Sequence, residues 1–218
     1  MRVGIVAATQ FEIEPARRFV EQLPADFPHR FAVVLTGVGM LPTTYQLLEQ
    51  IGQQPFDLLL QAGIGGGFSE KFSLAEVVLV QDEVIGDLGV EEEEFKDVFD
   101  MGFAAADGFP FHGKRLVNPF ISRWNKLSLP LARGLTINEI TTRPARIEAL
   151  QQKYGCEVES MEGAAFHYVC LQKNIPFLQL RAVSNRVGER SKKNWKIKES
   201  IESLNKQLIR IIEQITEL

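Results

Sequence analysis

Short, nearly continuous runs of Val, Leu and Ile alternate with amphipathic stretches along the whole chain, and this alternation constrains the fold most. Residues 3–8, 31–36, 57–62, 75–84, 131–137, 156–159 and 175–184 read as strands, several apolar enough to be buried on both faces. Between them, residues 12–22, 40–51, 143–154 and 161–173 read as helices. The last of these puts Met161, Ala164, Ala165, Tyr168 and Val169 on one face, with Asn174 and Pro176 as its stop. A terminal helix carries Ile201, Leu204, Leu208, Ile211 and Ile215 at helical spacing. Such β/α alternation predicts an α/β fold, a three-layer α/β/α sandwich with a mixed, mostly parallel sheet. No repeat, low-complexity tract or shift in composition divides residues 1–218, so a single domain is expected. Residues 91–127 are the least regular and read either as an excursion over one end of the sheet or as a lid. The acidic run at 91–94 reads as a solvated loop.

Charge narrows the function classes. With 24 Lys and Arg against 28 Asp and Glu, the net charge of −4 points to neither nucleic acid nor an anionic membrane, and leaves a small anionic ligand open. Cys156 and Cys170 lack a CxxC partner or a His at ligand spacing and read as buried, reduced thiols; no metal is expected. The start MRVGIVAA lacks the order of a secretory signal, and no apolar run reaches the roughly 18 residues of a spanning helix, so a cytoplasmic location is expected.

In open α/β sheets ligands bind beyond the carboxyl ends of the strands, so polar residues just after strands carry the most information. Four places qualify. Glu12 follows the first strand and could serve as a general base, or favour a helix N-terminus through the dipole. The run Gly63, Ile64, Gly65, Gly66, Gly67 follows the third strand. It matches neither a dinucleotide fingerprint nor a P-loop, and reads as a close-approach loop or a plain turn. Ser160, Met161 and Glu162 pass from a strand into a helix: a carboxylate there can accept both ribose hydroxyls while Met packs on the sugar, or Glu162 can cap the helix. Ser184 and Asn185 end a later strand; Asn can read adjacent donor and acceptor atoms of a purine edge, or simply begin a turn.

In order along the chain, RVGIVAATQFE, TGVGM, QAGIGGG, VESMEGAA and RAVSN resemble the nucleoside phosphorylase and nucleosidase superfamily, nearest its methylthioadenosine/S-adenosylhomocysteine nucleosidase branch. The resemblance implies a nucleoside phosphorylase-like sandwich around a twisted, partly barrel-like sheet, and a homodimer or larger homo-oligomer. It implies that Glu12 activates the attacking water, Glu162 holds the ribose hydroxyls, and Met161 packs against the sugar. Asn185 falls where adenine-cleaving members have an Asp that protonates N7, and Ile64 replaces the glycine-run Ser. Gly63, Ile64, Ser160, Ser184, Asp87 and Thr142 are taken as further substrate-binding positions, and no cofactor is expected.

A carboxamide at 185 cannot be the acid, but it can donate to N7 or O6 of a 6-oxopurine, so hypoxanthine is the expected leaving base. SMEGAAF, RAVSN, RVGERSKKNW and DEVIGDLGVE resemble the futalosine hydrolases of the alternative menaquinone pathway, with Asp87 expected to face the cavity. Futalosine carries a benzoate at its 5′ end, for which Arg186, Arg190, Lys192 and His112 are the candidate partners. The alternatives are a methylthioadenosine-type nucleosidase, a phosphate-dependent phosphorylase and a nucleoside-binding sensor.

Overall fold

The computed structural model describes residues 1–215. Its strands are β1 (Arg2–Ala7), β2 (Arg30–Leu35), β3 (Leu58–Gly67), β4 (Val77–Ile85), β5 (Gly89–Glu91), β6 (Phe95–Asp97), β7 (Leu116–Val117), β8 (Leu131–Thr136), β9 (Val158–Ser160) and β10 (Phe177–Arg186). The helices are α1 (Gln10–Glu21), α2 (Met40–Gln53), α3 (Ile121–Trp124), α4 (Pro144–Tyr154), α5 (Gly163–Lys173) and α6 (Ile197–Ile215).

Eight strands form one mixed sheet. β2, β1, β3 and β10 run parallel in that order, β4 joins β10 antiparallel, β8 and β9 continue in parallel, and β9 returns antiparallel to β3. The hydrogen-bonded path through β3, β10, β4, β8 and β9 therefore closes on itself. Side-chain alternation assigns the faces. Val3, Ile5, Leu58, Leu60, Leu178 and Leu180 pack with Ile13 and Ala16 of α1 and Leu204, Leu208 and Ile212 of α6. Residues of the opposite parity on the same strands, Val6, Leu59 and Phe177, meet Leu47 of α2 and Phe166, Val169 and Cys170 of α5. Both faces are covered, so the central strands are apolar throughout rather than alternating.

Two local expectations are corrected, and the irregular segment gains a description. The glycine run is strand, not loop: β3 continues to Gly67 because it has partners on both sides, β10 and β9. The face drawn for residues 161–173 is too narrow. Tyr168 is exposed, whereas Phe166, His167 and Cys170 are fully buried, because α5 is covered on several sides and one stripe does not describe it. Within residues 91–127, β5 and β6 form a hairpin with the exposed acidic run at its turn, and β7 rejoins the sheet edge at β4. Asp97 fastens that segment: it accepts from the backbone of Phe99 and Asp100 and from Tyr154 Oη, and Lys114 and Lys153 pair with it. No helix among the described residues is long and apolar enough to cross a membrane.

Candidate active site

A cleft of about 290 Å³ opens beyond β1 and along the carboxyl-terminal halves of β3 and β10. Glu12, Ile64, Ser160, Met161, Glu162, Ser184 and Asn185 all line it, although they lie at both ends of the chain. A larger hollow of about 600 Å³, between the acidic turn and α4, holds none of these residues; its charged walls already pair with each other, as Arg143 does with Glu91.

Glu12 stands in the first turn of α1, and its two oxygens are divided. Oε2 accepts from Thr9 N–H (3.2 Å) and Thr9 Oγ1 (3.0 Å), the capping role, while Oε1 accepts from Ile64 N–H (3.0 Å) at the cleft floor. The helix-capping and cleft readings are thus not exclusive. Beneath, Asn205 of α6 brackets the turn that carries Glu12: its Nδ2 donates to the Glu12 carbonyl (2.8 Å) and its Oδ1 accepts from Ala16 N–H (3.0 Å). Gly63 is a spacer. A Cβ there would collide with Arg181 Nη1 and stand 3.0 Å from Glu12 Oε1, so this glycine lets a guanidinium and a carboxylate converge on one point.

Glu162 is the N-cap residue of α5, but its side chain makes no capping bond to the helix. Its Oε1 accepts from Gly39 N–H (3.1 Å), which stands at the N-terminus of α2, where the helix dipole favours an anion. Gly39 has φ +98°, which explains the second glycine of TGVGM. Glu162 Oε2 lies 3.4 Å from Arg181 Nη2. Arg181 is 2% exposed, and its remaining bond runs to Gln61 Oε1 (3.2 Å) with Nε unpartnered. Ser160 Oγ accepts from Gly163 N–H, fixing the turn that presents Met161 and Glu162.

Asn185 is held by its neighbours. Ser184 Oγ donates to Asn185 Oδ1 (2.8 Å), and Asn185 Nδ2 donates to the Arg186 carbonyl (2.9 Å), leaving one amide hydrogen free. The rim of the cleft carries Val38, Ile140, Gly188, Glu189, Arg190 and Trp195.

Several expected positions are not brought together with these. Asp87 does not line the cleft; it turns away to accept from the backbone N–H groups of Asn138 and Glu139, acting as a loop clasp. Thr142 is exposed just before α4, outside the lining. Of the four cations considered for the 5′ carboxylate, Arg190 lines the cleft. Arg186 is engaged by the Ser69 and Phe72 carbonyls and Glu70, His112 lies beside Asp107, and Lys192 is exposed outside the lining. No residue from 91 to 127 lines the cleft. Sequence reasoning passed over Arg181, Glu159 and Asn205. The first two sit inside the quoted motifs, where a charged residue on an otherwise apolar buried strand was the available signal. Asn205 interrupts the apolar stripe of α6 with a polar, buried side chain.

Behind the cleft, Glu83 lies fully buried between Gly134 and Gly163, where a Cβ on either glycine would strike its carboxyl group. It accepts from Gln179 Nε2 (2.8 Å) and Thr136 Oγ1 (3.0 Å), and Thr136 Oγ1 in turn accepts from Ala164 N–H. Burial pushes Glu83 up to about 7 and His167 down to about 4. Among the described residues no group of three or more His, Cys, Asp or Glu is arranged to hold a metal ion.

An acid in the first turn of α1, a second acid before α5 and a polar amide on β10 thus surround one cleft. Residues 2–217 match the model of the Phosphorylase superfamily, and the chain belongs to that superfamily. It is 31% identical over 191 residues to a futalosine hydrolase of Thermus thermophilus, covering 84% of this chain and 81% of that protein. It is 24% identical to a 5′-methylthioadenosine/S-adenosylhomocysteine nucleosidase of Bacillus cytotoxicus, covering 88% of each. The structure of futalosine hydrolase from Helicobacter pylori superposes with a TM-score of 0.80 at 16% identity over 98% of both chains, a likeness of fold.

Proposed function

We propose that this chain hydrolyses the N-glycosidic bond of futalosine, releasing hypoxanthine and leaving dehypoxanthine futalosine, a step of menaquinone biosynthesis. One observation carries the reading: a carboxamide, Asn185, shares a cleft with the Glu12 and Glu162 carboxylates. The 31% identity to a futalosine hydrolase supports the same substrate.

The reaction passes through an oxocarbenium-like ribosyl centre. Glu12 Oε1 and Arg181 Nη1, converging beside Gly63, orient a water beneath C1′, and Glu12 takes its proton as oxygen bonds to carbon. Glu162 accepts the two ribose hydroxyls, and Met161 packs on the sugar. As the C1′–N9 bond breaks, charge grows on the base. Asn185 has no acidic proton to give, and it stabilises that charge by N–H donation to N7 or O6, while the departing base anion takes up its proton from solvent water to leave as hypoxanthine. Arg190 at the rim is the cation best placed for the benzoate.

The protein is proposed to work in the cytoplasm as a homodimer or larger assembly. Support comes from an exposed stripe at helical spacing on α2, Leu41, Tyr45 and Leu48, continuous with Val38 at the rim of the cleft.

The test is to incubate the protein with futalosine, inosine and methylthioadenosine in phosphate-free buffer and measure free base. Hypoxanthine released from futalosine at the highest kcat/KM is expected. Release that requires added phosphate, or that prefers methylthioadenosine, would replace this reading with a phosphorylase or an adenine-specific nucleosidase.

A further inference from the structure

Gly66 of β3 is in register with Asn185 of β10 on one side and with Glu159 of β9 on the other. Residues paired across adjacent strands project to the same face, and two strand spacings set these Cα atoms about 9–10 Å apart. Both side chains line the cleft, and between them stands a residue with no side chain. The cleft thus carries a carboxamide and a carboxyl group on either side of Gly66, with Val187 Cγ2 packed 3.0 Å from where a Cβ of Gly66 would stand.

Glu159 is 8% exposed, and its Oε2 is buried without a hydrogen-bond partner. The other carboxylates lining the cleft are engaged: Glu12 by Thr9 and Ile64, Glu162 by Gly39 and Arg181, and Glu189 by Ser191 and Asn194. An unpaired buried carboxylate is costly to hold, and a ligand that donates to it removes the cost. Burial, with the Asp87 carboxylate, pushes this group up to about 7.

We propose that Glu159 is a second base-reading residue, accepting the N1–H of a 6-oxopurine whose N7 and O6 edge is held by Asn185. The inference rests on the hydrolase reading and deepens it. A 6-oxopurine carries a hydrogen on N1, whereas adenine presents a bare lone pair there. In its ionised form, held by the N1–H of the base, the carboxylate is acceptor-only: it bonds the first and repels the second. Glu159 then selects against adenine independently of residue 185.

The experiment measures Kd by calorimetry for hypoxanthine, 1-methylhypoxanthine and adenine against wild type, Glu159→Leu and Glu159→Gln, with futalosine turnover assayed in parallel. Wild type is expected to bind hypoxanthine at least about tenfold more tightly than its N1-methyl analogue. Glu159→Leu is expected to lose that discrimination, with hypoxanthine weakened about tenfold. Glu159→Gln, whose carbonyl still accepts N1–H, is expected to keep hypoxanthine within about threefold and to gain affinity for adenine. Equal wild-type affinity for hypoxanthine and its N1-methyl analogue overturns the inference, and needs no folded variant to do so; so does discrimination that survives in Glu159→Leu. Discrimination without futalosine turnover removes the hydrolase reading and leaves Glu159 as a base reader, whereas turnover without discrimination removes Glu159 alone.

Discussion

At the scale of single residues, the cleft is a set of groups whose hydrogen bonds are mostly spoken for, each with one function left over. Glu12 uses one oxygen for its own helix and offers the other to the cleft. Removing only its basicity separates the two uses. Glu12→Gln is expected to fold and bind ligand much as wild type while kcat falls at least about a hundredfold, the scale of a general base; turnover retained in that variant would dismiss Glu12 from the mechanism. Asn185, clamped by Ser184 and the Arg186 carbonyl, presents a donor that cannot surrender a proton. Asn185→Asp supplies one, so the ratio of kcat/KM for adenosine-type over inosine-type nucleosides is expected to rise about tenfold or more. An unchanged ratio would show that the base is chosen elsewhere.

At the scale of elements, the cleft depends on contacts between segments far apart in sequence. The Asn205 carboxamide on α6 bridges the Glu12 carbonyl and the Ala16 N–H, the two groups that one turn of α1 would join, so the last helix holds the first in place. Glu83 on β4 ties Thr136 of β8 to the turn that carries Glu162, through Ala164 N–H. The Glu83 carboxyl releases its proton near 7 in the folded protein, against 4.5 for an ordinary glutamate. A folded state that holds its proton more tightly than the unfolded chain is stabilised fully below about pH 4.5, and loses that contribution as pH rises through about 7. Glu83→Gln removes the titration. Between about pH 5 and about pH 8 its melting temperature is therefore expected to gain about 5–10 °C on wild type, the shift that about 2.5 kcal/mol produces in a chain of this size. Parallel melting curves for the two proteins across that window would remove Glu83 as the cause. Other titrating groups, His167 and Glu159 among them, are common to both proteins and cancel in the comparison.

At the scale of the whole molecule, the unpartnered stripe Leu41, Tyr45 and Leu48 on α2 lies outside both apolar cores, and α2 begins at the Gly39 amide that holds Glu162. Assembly through this stripe would brace the ribose side of the cleft. Leu41→Glu with Tyr45→Glu is expected to convert the sedimenting species to monomer and to lower kcat/KM for futalosine several-fold; an unchanged sedimentation coefficient would place the interface on another face.

Much of this was legible along the chain because it is local chemistry. Strand and helix positions follow from apolar periodicity, and the grouping of Glu12, Met161, Glu162 and Asn185 followed from polar residues just past strand ends, where any open α/β sheet collects them. The superfamily was readable in the ordered motifs. Other features needed three dimensions. Whether the glycine run turns or stays extended depended on β9 and β10 being there to pair with it. Asp87 stands inside one of the quoted motifs, yet hydrogen bonding to Asn138 and Glu139 takes it elsewhere, and Thr142 is exposed outside the cleft. Arg181, Glu159 and Asn205 owe their importance to burial beside partners more than 15 residues away in the chain, and a one-dimensional pattern does not encode which distant backbone amide or carbonyl a side chain will meet.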